Sequence, residues 1–305
     1  MLLDGPIKAI LAHKNPTLDT SRQDKSTIRE DNEYYPLSPS YIVPWDDFTY
    51  ENIASALNDV LEDPKNITVD VLQNPGGLSI EIESEQSIQE LIATWNASIC
   101  HQPLSLAAPQ LQQNLGLLAH PIAIQAPGKE IHHDRHEYAP GLSIHLLDDA
   151  QTPLVWGHCV RSTTWMSDHS ELPRRHVNTW TLPFQQVLTY CVATNTRYGC
   201  ILTPEELVIL RFYQTPSDGE PAWGAEYKSI PWADSGPNKL TANLGIWAMG
   251  MMALNNKHRA ISGREDTLPL NVWFRQQNVD GSNVFVHHLT SQVADRAPRQ
   301  AAIRS

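Results

Sequence analysis

The sequence predicts an α/β fold, and three observations carry the prediction. Trp180 to Tyr213 reads as a buried helix that feeds through a tight turn into two strands, the centre of an α/β domain. Leu240, Leu244, Trp247, Met251 and Leu254 follow a 4,3,4,3 spacing, which marks a second strong helix over residues 239 to 255. The 305 residues are 41% hydrophobic and 18% charged, enough apolar material for one full core.

Residues 15 to 40 are polar, charged and aperiodic, so residues 1 to 40 are expected to form a flexible or peripheral arm. A single domain over 41 to 290 follows, its core at about 120 to 257, with a frayed tail over 291 to 305. Ile53, Leu57, Val60 and Leu61 make one face of a helix over 50 to 62. The runs Ile67 to Leu72 and Leu78 to Ile82 flank Asn74-Pro75-Gly76-Gly77 and predict a β-hairpin. Ile88, Leu91, Ile92 and Trp95 mark a helix over 85 to 98; another over 103 to 118 is opposed by Pro109.

Pro121 to Gln125, Leu142 to Leu147 and Pro153 to Arg161 read as strands, the last two joined at Asp148-Asp149-Ala150-Gln151. Within 180 to 213, Phe184, Val187, Leu188 and Cys191 share an apolar face, while Gln186 and Tyr190 share a polar edge. Cys200 to Leu202, Leu207 to Leu210 and Ala225 to Pro231 follow as strands. Asn271 to Arg275 and Val284 to His288 are expected to pair as a closing hairpin.

A formal charge of −12 argues against strong DNA binding, which rests on Lys and Arg. Four cysteines without CxxC spacing point to reduced, buried thiols. With no long apolar stretch and no secretion signal, the sequence reads as soluble and cytoplasmic, with no membrane partner.

Several ordered stretches resemble the fungal PD-(D/E)xK nuclease-like domain family. They are Pro140-Gly141, Trp156 to Ser162 with Trp165, Gln186 to Cys191, Arg197-Tyr198-Gly199, Leu210-Arg211-Phe212, Ile230-Pro231-Trp232 and Leu240 to Leu244. The resemblance implies a restriction-endonuclease-like core, a central mixed β-sheet flanked by helices, here with an N-terminal helical elaboration. The family pattern also implies an Asp on one strand and an Asp or Glu, then Lys, on the next, which hold a divalent metal and the attacking water. Here Gly141, His158 and Val160 occupy those positions. In an alternative register Cys159 replaces the carboxylate and Arg161 the Lys. Neither register supplies oxygen ligands for magnesium, and arginine stays protonated. The expectation is a degenerate member that does not work as a nuclease and whose cleft binds or transforms a small molecule or other ligand.

His158, Tyr190, Gln186 and Arg161 are the candidate catalytic residues, with Arg174, Arg175, His145 and Trp165 as candidate substrate-binding residues. Arg161, Arg174, Arg175 and His176 suit a phosphate or carboxylate. No cofactor is expected, although His132, His133 and His136, with His145 and His158, offer nitrogen ligands for zinc if they converge. The resembled fold group includes fungal cyclodipeptide synthases that use aminoacyl-tRNA, which makes a biosynthetic enzyme with tRNA as partner the alternative reading. A residual metal-dependent nuclease is the second alternative.

Overall fold

Seven strands form the central sheet: β1 (Ile42–Pro44), β2 (Ile122–Gln125), β3 (Leu142–Leu146), β4 (Pro153–Cys159), β5 (Tyr198–Leu202), β6 (Glu206–Thr215) and β7 (Ala222–Pro231). Their order is β1-β7-β6-β5-β4-β3-β2. The pairs β4–β5 and β1–β7 are parallel, and the other four are antiparallel, so the sheet is mixed. The computed structural model describes residues 1–23, 34–71, 79–168, 177–216, 222–278, 281–298 and 301–304. All four cysteines are free and buried. Among the described residues, no helix is long and apolar enough to cross a membrane.

Three helices cover the sheet: α1 (Ala97–Asn114), α2 (Val177–Thr194) and α3 (Ala242–Ala253). A parallel pair cannot close with a tight turn, and α2 supplies the crossover between β4 and β5. It covers the face that carries Trp156, Ile201, Val208, Leu210 and Phe212. The opposite face, with Leu142, Ile144, Val155, Cys200 and Ile209, packs in one core with residues of α1 and α3. Helices on both sides explain why β5 and the first eight residues of β6 are buried at every position, and why Leu207 to Leu210 reads as an unbroken apolar run. A Cβ on Gly199 would lie 2.4 Å from Val187 Cγ1, so glycine lets α2 approach β5 this closely.

Three local expectations are corrected, and the helix over 103 to 118 is present despite its proline. The runs around Asn74 to Gly77 do not pair with each other: Ile67–Asp70 pairs antiparallel with Leu2–Gly5, and Ile80–Glu81 pairs parallel with Leu18–Asp19. Residues near the start of the chain outcompete the local partner, and the turn itself lies outside the described residues. The arm is built into the body up to residue 23, with Ile7, Ile10 and Leu11 in the main core and Asn15 buried; residues 24–33 lie outside the described residues. Pro109 does not break α1, which also contains Pro103 and continues from Glu85–Leu91 through a π-turn at Ile92–Asn96. Burial of Ile99, Leu104, Ala107, Ala108 and Leu111 outweighs the two missing donors.

The third correction concerns the tail. A second sheet contains β8 (Val272–Gln277), β9 (Asn283–His287), β10 (Val293–Ala294) and β11 (Ala302–Arg304), in the order β10-β9-β8-β11. The closing hairpin is therefore present as β8 and β9, and the expected frayed tail adds two strands to it.

Candidate functional site

The two possible registers of the metal pattern are separated by which sheet face each residue occupies. Trp156 and Val160 lie in the core under α2, whereas Cys159 lies in the opposite core. Strict alternation puts His158 on the α2 face. Gly141 leads into β3, and its N–H donates to the Gly157 carbonyl of β4 at 2.8 Å. A Cβ on Gly141 would lie 2.5 Å from Cys159 Sγ. A side chain at 141 would therefore meet Cys159, with Arg161 two residues further, although the ladder that pairs Ser143 with Trp156 and Leu142 with Gly157 continues to His158 opposite Gly141.

That face also holds Glu85, which sequence reasoning did not single out. Glu85 opens the helix that continues into α1, and Ser84 and Ser87 form a reciprocal capping box around it. Although exposed, it has its pKa raised by desolvation from the protein around it, and the Arg161 charge opposes the rise. The Cys159 thiol is pushed up by burial and by the Glu85 charge, so it is not a thiolate nucleophile at neutral pH. The signal that could have found Glu85 is the Ser84-x-x-Ser87 cap, which fixes the helix start and leaves an acid on its first turn.

Substituting Gly141 by alanine is expected to destabilise the fold by about 2 kcal/mol through overpacking. Chemical denaturation of Gly141→Ala, Cys159→Gly and the double variant checks this: the double variant must be more stable than the sum of the two single effects allows. Additive effects would show that the contact is not shared.

On the α2 face, Trp156 Nε1 donates to Thr194 Oγ1 at 2.7 Å, which fixes where the helix lies along β4. Four residues of helix and two of strand both span about 6 Å, so Tyr190 is level with His158 and Gln186 with Val160. Gln186 Nε2 donates to the Tyr190 hydroxyl at 2.8 Å. Tyr190 is 1% exposed, and burial raises its phenol far above the usual range. Its ring is 6.0 Å from that of Tyr138. His158 is half-buried, and the surrounding protein pushes its imidazole down to about 4, so it is neutral at pH 7. The chemistry on this face is that of hydrogen bonding between neutral groups.

No family model, curated protein or solved structure matches this chain. His145 pairs with Pro153 in the β3–β4 register, five residues from His158, so about 17 Å of strand separates the two histidines. His145 is buried, and burial lowers its pKa. Trp165 is a core residue: its Nε1 donates to the Trp180 carbonyl at 2.8 Å, and its ring meets Phe184 edge-on at 5.7 Å. Arg174, Arg175 and His176 lie outside the described residues.

The histidine-rich run forms a hairpin, Ile131–His133 with His136–Tyr138. Its three histidines do not converge. His133 and His136 share the face anchored by buried Ile131 and Tyr138, and the Tyr35 hydroxyl is 3.3 Å from His133 Nε2. His132 lies on the other face, where Glu130, His132 and Glu137 hold one donor atom each within 4.8 Å of one another. One imidazole and two carboxylates suit zinc chemically, but all three side chains are exposed and water competes for each.

The arginines of two family-like stretches, Arg197-Tyr198-Gly199 and Leu210-Arg211-Phe212, are occupied in the fold. Arg197 donates from Nε to the Ala260 carbonyl at 2.8 Å and from Nη2 to Ser262 Oγ. Arg211 is buried against Trp45, with its Cζ 4.2 Å from the ring centroid, and is paired with Glu226.

Proposed function

We propose that this chain is a catalytically silent protein on a nuclease-like fold, which binds an anionic ligand beside Arg161 and does not cleave nucleic acid. The order of elements supports the fold reading. Pro140-Gly141 leads β3, β4 ends at Cys159, α2 carries Gln186 to Cys191, Arg197-Tyr198-Gly199 opens β5 and Leu210-Arg211-Phe212 lies on β6. This is the order in which the resembled family carries its motifs.

One observation carries the silent reading: the space that a side chain at 141 would need is taken by the buried Cys159 thiol, so neither of these two positions, which the nuclease pattern fills with acids, carries a carboxylate. A hard divalent cation needs oxygen ligands, and a neutral thiol is a poor substitute. Glu85 is a carboxylate whose charge acts on this side of the sheet with that of Arg161, and one carboxylate does not make a two-acid cage. Arg161 remains as a permanent cation for phosphate or carboxylate.

The test has two arms. Purified protein is incubated with supercoiled, linear and single-stranded DNA and with RNA in magnesium or manganese, and no cleavage is expected. Cleavage that disappears in Glu85→Ala would overturn the proposal. In the second arm, natively purified protein is denatured and the released small molecules are identified by mass spectrometry. An anionic species is expected from the wild-type chain and not from Arg161→Ala; equal retention by both removes Arg161 from the site.

A further inference from the structure

A groove of about 590 Å³ opens between the N-terminal segment and the loop before α3, and none of the candidate site residues lines it. Its size lies within the range of small-molecule sites. Ala9, Ala12 and Pro237 give it apolar walls, and Lys8, His13 and Lys14 stand at its polar side.

The walls are held in place from behind. The Gly236 N–H donates to the Ala12 carbonyl at 2.9 Å, and the Gly236 backbone, at φ +105°, favours glycine. Thr241 Oγ1, at the N-cap of α3, donates to the Leu11 carbonyl at 2.7 Å. Asn15 is 3% exposed: its Nδ2 donates to the Trp232 carbonyl at 3.0 Å, and its Oδ1 accepts from Trp95 Nε1 at 3.0 Å and from Asn243 Nδ2 at 3.1 Å. Lys14 therefore sits on backbone fixed on both sides, at Leu11 and at Asn15. A fixed site loses little ordering entropy when a ligand binds.

Charge selects the ligand. Lys8 Nζ is paired with Glu62 Oε1 at 2.7 Å. Lys14 is exposed and makes no ion pair or hydrogen bond among the described residues. The groove thus carries one uncompensated ammonium beside an apolar surface, in a chain whose formal charge is −12. The His13 ring leans on Trp95, with centroids 6.1 Å apart, and burial lowers its pKa, so it adds a neutral hydrogen-bonding group.

We propose that this groove binds a small amphiphile with one anionic head, its head on Lys14 and its apolar body against Ala9, Ala12 and Pro237. The site is independent of Arg161 and does not rest on the nuclease-like reading.

Isothermal titration calorimetry with octanoate, octyl phosphate, octanol and inorganic phosphate tests it. One-to-one binding of octanoate or octyl phosphate is expected, and the tighter of the two distinguishes a carboxylate from a phosphate head. Octanol and inorganic phosphate, which each lack one half of the ligand, are expected to bind at least tenfold more weakly. Lys14→Glu should lower the affinity at least tenfold, and Ala12→Trp should abolish binding by filling the groove. Lys257→Glu, at the other end of α3, should leave it unchanged, and thermal melts confirm that each variant is folded. Failure of the wild-type chain to bind either anionic amphiphile at millimolar concentration overturns the proposal, as does an unchanged affinity in folded Lys14→Glu.

Discussion

Replacing Arg211 by alanine is expected to lower the unfolding free energy by about 3–5 kcal/mol, the cost of stripping one partner from a buried ion pair. Arg211 and Glu226 are cross-strand neighbours on β6 and β7. Arg211 Nε and Nη2 both donate to Glu226 Oε2, at 2.7 and 2.5 Å, and Nη1 donates to the Leu268 carbonyl at 2.8 Å. The Arg211 side chain is 4% exposed and that of Glu226 20%, so the carboxylate left behind has little water to turn to. The guanidinium also covers the ring of Trp45, a residue 1% exposed. Urea unfolding of Arg211→Ala, Arg211→Met and Arg211→Met/Glu226→Gln measures the effect. The double variant should recover part of the loss, because no charge is stranded. If Arg211→Ala costs less than about 1 kcal/mol, the range of an exposed pair, the pair does not behave as a buried one.

The second large effect is acid sensitivity in the second sheet. His287 and His288 stand at the end of β9, and both bring Nε2 to the Leu270 carbonyl, at 2.8 and 3.2 Å. Burial pushes them down to about 4 and about 3, with neighbouring histidine charges adding to the effect. The His258 ring meets His288 edge-on at 5.0 Å, and its own pKa is lowered by burial and by the charges of Arg197, Lys257 and Arg211. The unfolded chain takes up protons near pH 6.5, whereas the folded chain resists until about pH 4. Below pH 6.5 the unfolded state therefore binds more protons, and stability is lost as the pH falls through that window. The loss is roughly 2 kcal/mol for each histidine between pH 6.5 and pH 5. Urea melts at pH 7, 6 and 5 should show it, and His288→Asn should flatten the slope; a slope that does not change would remove these histidines as its cause.

How much of this was legible in the sequence depended on where each residue's partner lay. The Trp180 to Tyr213 unit and the helix after residue 240 were readable because their burial pattern is local, with α2, β5, β6 and α3 each buried along most of their length. The strands at Ile67 and Ile80 were readable as strands, but their partners lie more than sixty residues earlier. Only that long-range pairing decides between a hairpin and two separate sheets.

The same limit governs the site. Alternation tells that His158 and Cys159 face opposite ways, but not which of them a side chain at 141 would meet. His145 and His158 looked like neighbours on adjacent strands until the antiparallel register placed them at opposite ends. Gln186 and Tyr190 read as the surviving edge of a cleft; their mutual hydrogen bond and the burial of Tyr190 make them part of how α2 seats on the sheet.

The packing of Gly141 on Cys159 also constrains any mutational route toward an acidic pair. Aspartate introduced first at 141 meets the sulfur at a distance no side chain tolerates. Glutamate introduced first at 159 places a carboxylate where the present residue is 1% exposed, beside the like charge of Glu85. Each order passes through a weakened intermediate, so laboratory evolution that accepts one substitution at a time stalls at its first step. A library that varies both positions together, in a stabilised background, does not meet that barrier.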